Sequence, residues 1–315
     1  MNKQMARAPV FDVDLASFKQ NPYPILENMR LHAPIAYVSA LDAILITKRD
    51  DIFFLEKKIE IFSSNQPESL MTRLMGQNMM RKDGLEHQME RKAIFPTLSP
   101  KAVQNVWRTY FENFTRNVID QLKKLRQADI VTDFAMSVSA EALKVLTDLT
   151  NMSWQEMDRV SQGMIYGCSN YVGDPEVEAR CNDCTASIDQ HISDQIRDGL
   201  SDSDISLLAV QQLAGLTDKQ LRANIKLAIS GGQNEPRDAI AGMVWALLEY
   251  PESLADLKKG RLSYKQVFEE FTRWIAPIGM SPRRVKYPYE YRSINFDVND
   301  RVFYVQFRKS GREHL

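Results

Sequence analysis

The sequence is poor in cysteine, with three thiols, Cys168, Cys181 and Cys184, in 315 residues. Three clustered thiols do not make a disulfide framework. Cys181 and Cys184, spaced as Cys-x-x-Cys, lack the second ligand pair that a zinc site needs, so a redox pair is the one chemical use left to that spacing. Long apolar runs are missing as well: the longest, Ala239 to Leu248, is far below the ~18 residues that cross a bilayer, and Met1 to Leu15 holds no apolar leader core. Charge of one sign is also absent. Forty basic against forty-one acidic residues give a net charge of -1 and a pI near 6.5, which gives no general reason to expect nucleic acid or an anionic membrane as partner. There is no internal repeat and no low-complexity tract. These absences lead us to expect a soluble cytoplasmic protein without a metal site, and 44% apolar residues suffice for one large core or two ordinary ones.

What is present is mostly helical pattern. Val103, Val106, Trp107, Tyr110, Phe111, Phe114, Val118, Ile119, Leu122 and Leu125 recur at helical spacing, which predicts a long helix packed on the core. Val138, Ala142, Val145, Leu146 and Leu149 predict a second stripe, and Leu221 to Leu248 a third helix. Strand signals lie near both ends. Ile35 to Val38 and Ala43 to Thr47 flank a short connector and read as a hairpin, as do Tyr291 to Phe296 and Arg301 to Phe307 around Val298-Asn299-Asp300. Loops are expected at Asp174 to Pro175 and Gly199 to Ile205. The fold class is therefore mainly α with a small β region.

The third helix contains a contradiction. Gly231, Gly232 and Pro236 sit near its middle, where two glycines cost about 1 kcal/mol each and a proline about 3. Both flanks are amphipathic and share an axis, through Leu221, Ile225 and Ile229 before the motif and Ile240, Met243, Val244 and Leu247 after it. Either two helices meet at a Gly-Gly cap with Pro236 in the first turn of the second, or one helix is opened, its glycines admitting something flat and its proline freeing the carbonyl four residues back. His87 and Arg91 lie four apart on one helical face, and Glu270 and Arg273 three apart on another, followed by Pro277 and Arg283. Each pair is individually weak.

Their order and spacing carry more. Together these stretches resemble the cytochrome P-450 family of haem-thiolate monooxygenases in its soluble bacterial form, over roughly Phe11 to Phe307. The resemblance implies a single domain over 1–307 and a tail, 308–315, that matches nothing in the family. It implies that His87, Arg91 and Arg283 hold the propionates of haem b and converge on one cavity. Gly231 and Gly232 would let the macrocycle approach the central helix, and Glu270 and Arg273 would form the structural E-x-x-R pair. It further implies a small apolar substrate and a ferredoxin-type electron donor with an NAD(P)H reductase. Leu70, Met71, Leu74 and Met75 suit either a substrate-pocket wall or ordinary core.

Two departures qualify the resemblance. Asn234 and Glu235 stand where the family commonly has an acid followed by threonine, which alters the proton relay; Glu235 either carries a proton itself, with a pKa raised by burial, or pairs with Arg237 or another cation. The F-x-x-G-x-x-x-C loop that supplies the iron's thiolate is not found, and the three cysteines lie outside any such context. The chain as written is therefore expected to be inactive alone, as a truncated member or as a non-catalytic remnant that binds haem or another ligand, and to leave apolar faces of the central helix and of the E-x-x-R helix in water.

Overall fold

The computed structural model describes residues 6–170, 173–200, 205–275 and 278–306. The predicted tail, 308–315, and Pro277 lie outside them. The chain divides into two compact units. One comprises Met1–Gln66, Lys82–Gly84 and Glu269–Leu315; the other comprises Pro67–Arg81 and Leu85–Phe268.

The first unit holds helices α1 (Leu15–Gln20), α2 (Tyr23–His32) and α3 (Arg49–Leu55). Its strands are β1 (Ala6–Arg7), β2 (Ile35–Val38), β3 (Ala43–Ile46), β4 (Phe62–Ser63), β5 (Met280–Val285), β6 (Tyr289–Tyr291), β7 (Ile294–Phe296) and β8 (Arg301–Val305). They form a five-stranded sheet in the order β2-β3-β8-β5-β4 and a three-stranded sheet in the order β1-β7-β6. The predicted first hairpin is present: β2 and β3 run antiparallel with Ile35 opposite Ile46, joined through a short 3-10 turn and Asp42 in the left-handed region at φ 46°. All four residues of β3 are buried. Ile44 and Ile46 pack with Phe62, Phe296 and Tyr304, and Ala43 and Leu45 with Leu26, Met29 and Val305. A strand covered on both faces has to be a continuous apolar run.

The second predicted hairpin is not present. β7 pairs antiparallel with β6, while β8 joins the other sheet between β3 and β5. The tight turn falls at Arg292 and Ser293, both left-handed at φ 51° and 64°. Neither is the glycine or asparagine that usually marks such a turn. It is held by Asp51, which is fully buried, accepts from Tyr291 Oη at 2.9 Å and pairs with Arg292 at 2.8 Å.

The second unit is helical: α4 (Leu70–Met75), α5 (Gly84–Leu98), α6 (Pro100–Ala102), α7 (Arg108–Leu122), α8 (Met136–Thr147), α9 (Trp154–Cys168), α10 (Pro175–Asp198), α11 (Leu207–Leu213), α12 (Asp218–Gly232), α13 (Asn234–Glu249) and α14 (Pro251–Lys258). α5 starts, and α15 (Tyr264–Ile275) runs through, a boundary between the units. Ser153, Asp174 and Thr217 cap α9, α10 and α12 with their side chains, worth roughly 1 kcal/mol each. The core joins Met157, Val160 and Met164 of α9, Cys181, Cys184, Ile188 and Ile192 of α10, and Leu221, Ile225 and Ile229 of α12, with Met75 from α4. At Gly163 and Gly167 an added Cβ would collide with the Sγ atoms of Cys184 and Cys181. Two glycines one turn apart thus let the cysteine face of α10 lie directly on α9. Met71 and Leu74 pack against this core as well.

Two helix expectations need correction. The helix after Val103 exists, preceded by a π-helical turn at Val103–Trp107, but no residue of α7 is buried; of its stripe only Trp107 is enclosed, donating from Nε1 to Thr97 O at 2.8 Å. Periodicity reveals an apolar face without revealing what covers it. In α8 the buried residues are Ser137, Ser139, Ala140, Leu143 and Thr147; of the predicted stripe only Leu149, just past the helix, is buried, whereas Val138, Ala142, Val145 and Leu146 are half-buried, because the small-residue face is the one that admits a neighbouring backbone. Of the two arrangements left open for the third helical stretch, the structure has the first: two helices separated at Gln233, with Pro236 in the first turn of the second. Apolar side chains also stand in water on α13, at Trp245 and Leu248, and on α15, at Tyr264, Phe268 and Ile275.

Candidate functional site

The division between α12 and α13 follows from its residues. Pro236 has no N–H, so Gly232 O lacks the donor that would continue the helix, and the next bond, Arg237 N to Gln233 O, is stretched to 3.3 Å. Pro236 falls in the first turn of α13, where a proline costs little. Ser139 of α8 answers the loosened carbonyls: its hydroxyl donates to Gln233 O at 2.8 Å and lies 3.4 Å from Gly232 O. Ser161 of α9 donates to Ile229 O at 3.1 Å one turn earlier.

The two glycines differ. A Cβ on Gly232 would come within 2.9 Å of Leu143 Cδ1, so this glycine is required by packing on α8. A Cβ on Gly231 would meet nothing within 4 Å, and the residue is exposed. Gly231 therefore presents bare backbone to open space.

Asn234 is half-buried and its Oδ1 is enclosed without a hydrogen-bond partner. Glu235 stands at the surface, yet packed atoms around its carboxyl desolvate it and push its pKa up, with Asp238 adding to the effect and Arg237 opposing it. Of the two uses foreseen for Glu235, pairing with Arg237 is not what the structure holds: Arg237 turns to Asp238 at 2.8 Å and Asp158 at 3.8 Å. Sequence reasoning missed the residues that fix this geometry, Ser139, Asp158 and Gln233. Ser139 was legible only as part of a small-residue stretch, and Asp158 not at all.

His87 and Arg91 share α5. His87 Nδ1 lies 2.9 Å from Met79 O; a carbonyl only accepts, so Nδ1 carries the proton and Nε2 is left for another partner. The loop that supplies this carbonyl is itself fixed, because Met79 N donates to Asn224 Oδ1 at 2.8 Å, and Asn224 and Gln220 both donate to the buried Glu90 of α5, at 2.9 and 2.7 Å. Arg91 is exposed and has no ion pair among the described residues. Arg283 belongs to the other unit. It is half-buried on β5, donates to Pro282 O at 2.8 Å and lies 5.2 Å above the ring of Tyr304, whose buried hydroxyl has its pKa pushed up by desolvation. Glu270 and Arg273 form a two-point pair on α15, with Nε to Oε2 at 2.7 Å, and the guanidinium holds the Glu270 carboxyl below the usual carboxylate range.

The cysteines have a structural place. Cys181 and Cys184 are buried between α9 and α10, and Cys168 lies 3.5 Å from Met75 Sδ. Burial pushes the Cys168 thiol up to about 11 and the Cys181 thiol up to about 12, and raises Cys184 as well. With no metal beside them, such thiols stay protonated near neutral pH and are poor nucleophiles. No group of three or more His, Cys, Asp or Glu able to hold a metal occurs among the described residues, and no described helix is long and apolar enough to cross a membrane.

No family model matches the sequence. Among curated proteins the chain is 24% identical over 289 residues to pulcherriminic acid synthase of Bacillus subtilis, covering 88% of this chain and 69% of that protein. It is also 24% identical over 275 residues to cytochrome P-450 109 of Bacillus spizizenii, covering 82% of this chain and 64% of that one. Among solved structures it superposes on CYP109E1 of Bacillus megaterium in complex with testosterone with a TM-score of 0.78 at 18% identity, over 90% of this chain and 75% of the other. With epothilone D-bound cytochrome P450epoK the TM-score is 0.79 at 18% identity, over 94% and 78%.

Proposed function

The chain is a relative of the bacterial cytochromes P-450 and has their fold, and from that premise we propose that it is the scaffold of a haem-dependent monooxygenase acting on a small apolar substrate. The observation that carries this reading is the divided α12–α13 helix, with bare backbone at Gly231 near the enclosed Oδ1 of half-buried Asn234 and near Glu235, whose pKa is raised by desolvation. Proteins that use this fold as enzymes draw oxygen-activating chemistry from haem b. The residues here suit the anionic, planar part of that group: Arg91 has no ion pair among the described residues, His87 has Nε2 to spare, Arg283 offers further guanidinium N–H groups, and the open side of Gly231 leaves room for a flat ring. They offer no thiol placed for the iron: Cys181 and Cys184 are buried in the α9–α10 seam, Cys168 is half-buried beside Met75, and burial raises the pKa of all three.

In this reading His87, Arg91 and Arg283 neutralise the propionates. Gly231 allows close approach, whereas the open side of Gly232 is taken by Leu143 of α8 and serves packing instead; Asn234 orients a small polar ligand, and Glu235 holds and passes a proton at its carboxyl. Glu270 and Arg273 brace α15. The single domain over 1–307, a cytoplasmic location and electron supply from NAD(P)H through a ferredoxin-type donor are parts of the same proposal.

The state of the thiols favours a second reading, a non-catalytic scaffold that holds haem or an apolar ligand without thiolate ligation. One experiment separates the two. The 315-residue chain is mixed with haem, reduced, exposed to carbon monoxide and scanned. We expect either no stoichiometric haem or the band of a histidine- or water-ligated iron, which leaves this chain inactive by itself. A red-shifted Soret band of the thiolate type would overturn that expectation and direct attention to one of the three cysteines.

A further inference from the structure

We infer that Asp158 is a positioning residue for the helix break: through Gln233 on one side and Arg237 on the other, it sets the direction in which Asn234 and Glu235 face. Gln233 is fully buried where α12 gives way to α13. Its Nε2 donates to Asp158 Oδ1 at 2.9 Å and to Met136 O at 3.2 Å. Both partners only accept, so the amide can be oriented in one way, and that orientation leaves Gln233 Oε1 enclosed without a donor. The Gln233 amide is thus oriented by its two acceptors and not by its own oxygen.

Asp158 also lies 3.8 Å from Arg237 Nη1, with both side chains largely enclosed. Gln233 and Arg237 flank Asn234, Glu235 and Pro236, so one carboxylate of α9 grips both ends of the segment that lost its regular hydrogen bonds. Ser139 grips the same segment from α8. A proline removes a helix hydrogen bond without itself fixing where the freed segment faces. This break is tied to two neighbouring helices, and its residues are aimed.

The test needs no cofactor, so its outcome is separate from that of the functional reading above. Amide hydrogen exchange and the side-chain amide resonances of Asn234 are followed by NMR in the full chain and in Asp158→Ala, Asp158→Asn and Gln233→Met. Asp158→Ala should speed exchange at Arg237, Asp238 and Ala239 at least tenfold and move the Asn234 resonances. Exchange at Cys184 and Ile188 in α10 should stay within about twofold. Asp158→Asn should restore part of the protection, since its amide oxygen still accepts from Gln233. Gln233→Met, similar in shape and apolar, should reproduce the alanine result if Asp158→Ala does not fold. Unchanged exchange at 237–239 would overturn the inference, as would a uniform acceleration through α10 and α13, which would mark Asp158 as a general stabiliser.

Discussion

Glu235 keeps its proton to a higher pH in the folded chain than a free glutamate does, because burial raises its pKa above the ordinary 4.5. Over the interval between those two values the folded chain binds the proton that the unfolded chain has already lost. Stability therefore falls as pH rises through that window and levels off above it. Glu235→Gln removes the titration. Urea unfolding from pH 4 to pH 8 should show the variant gaining on the parent chain from about pH 4.5 upward and the difference then becoming constant; a constant difference throughout would mean that the carboxyl is not desolvated. At this scale the sequence was informative where a residue breaks a local rule, as Gly231, Gly232 and Pro236 do, and silent where a residue obeys every rule. Asp158 is an ordinary acid on an amphipathic helix, and only the fold brings it to Gln233.

At the scale of elements, glycines of opposite meaning make a direct comparison. Gly163→Ala would drive a methyl group into Cys184 at the α9–α10 seam and should cost about 1–3 kcal/mol by overpacking. Gly231→Ala meets no neighbour and should add up to about 1 kcal/mol by helix propensity. Denaturant midpoints of the two variants check both signs. If Gly231 also serves haem, its alanine variant will be the more stable protein and the poorer haem binder. The same comparison explains what was legible in the pattern. Hydrophobic spacing located α7, α8, α12 and α13 and the β2–β3 hairpin, because those depend on local periodicity. It misassigned the burial of α7 and α8, since a stripe does not name its partner, and it misplaced the last hairpin. There the turn uses Arg292 and Ser293, held by a carboxylate far away in sequence, and no turn signal marks such a pair.

On the scale of the whole molecule, the five-stranded sheet places its last-made strand at its centre: β8 lies between β3 and β5. Translation runs in the opposite order to need. The β2–β3 hairpin leaves the ribosome with one edge of β3 unpaired, and the residues that will occupy that edge, Val302 to Tyr304, are made only after the entire helical unit. At ~5–20 residues per second this delay is roughly 13–50 seconds, long compared with the microseconds in which a hairpin forms. During that time an apolar strand edge of the kind that recruits other chains is exposed. Nascent chains arrested shortly after Phe268 and digested with protease should therefore show a protected α9–α10–α12 core and a fully cleavable segment around 35–46, which becomes resistant only when residue 305 has cleared the exit tunnel. A sheet closed by its final strand makes the yield of folded protein depend on how well nascent chains are kept apart, and slower synthesis at low temperature or a chaperone that shields strand edges should raise that yield more than any substitution in the helical core.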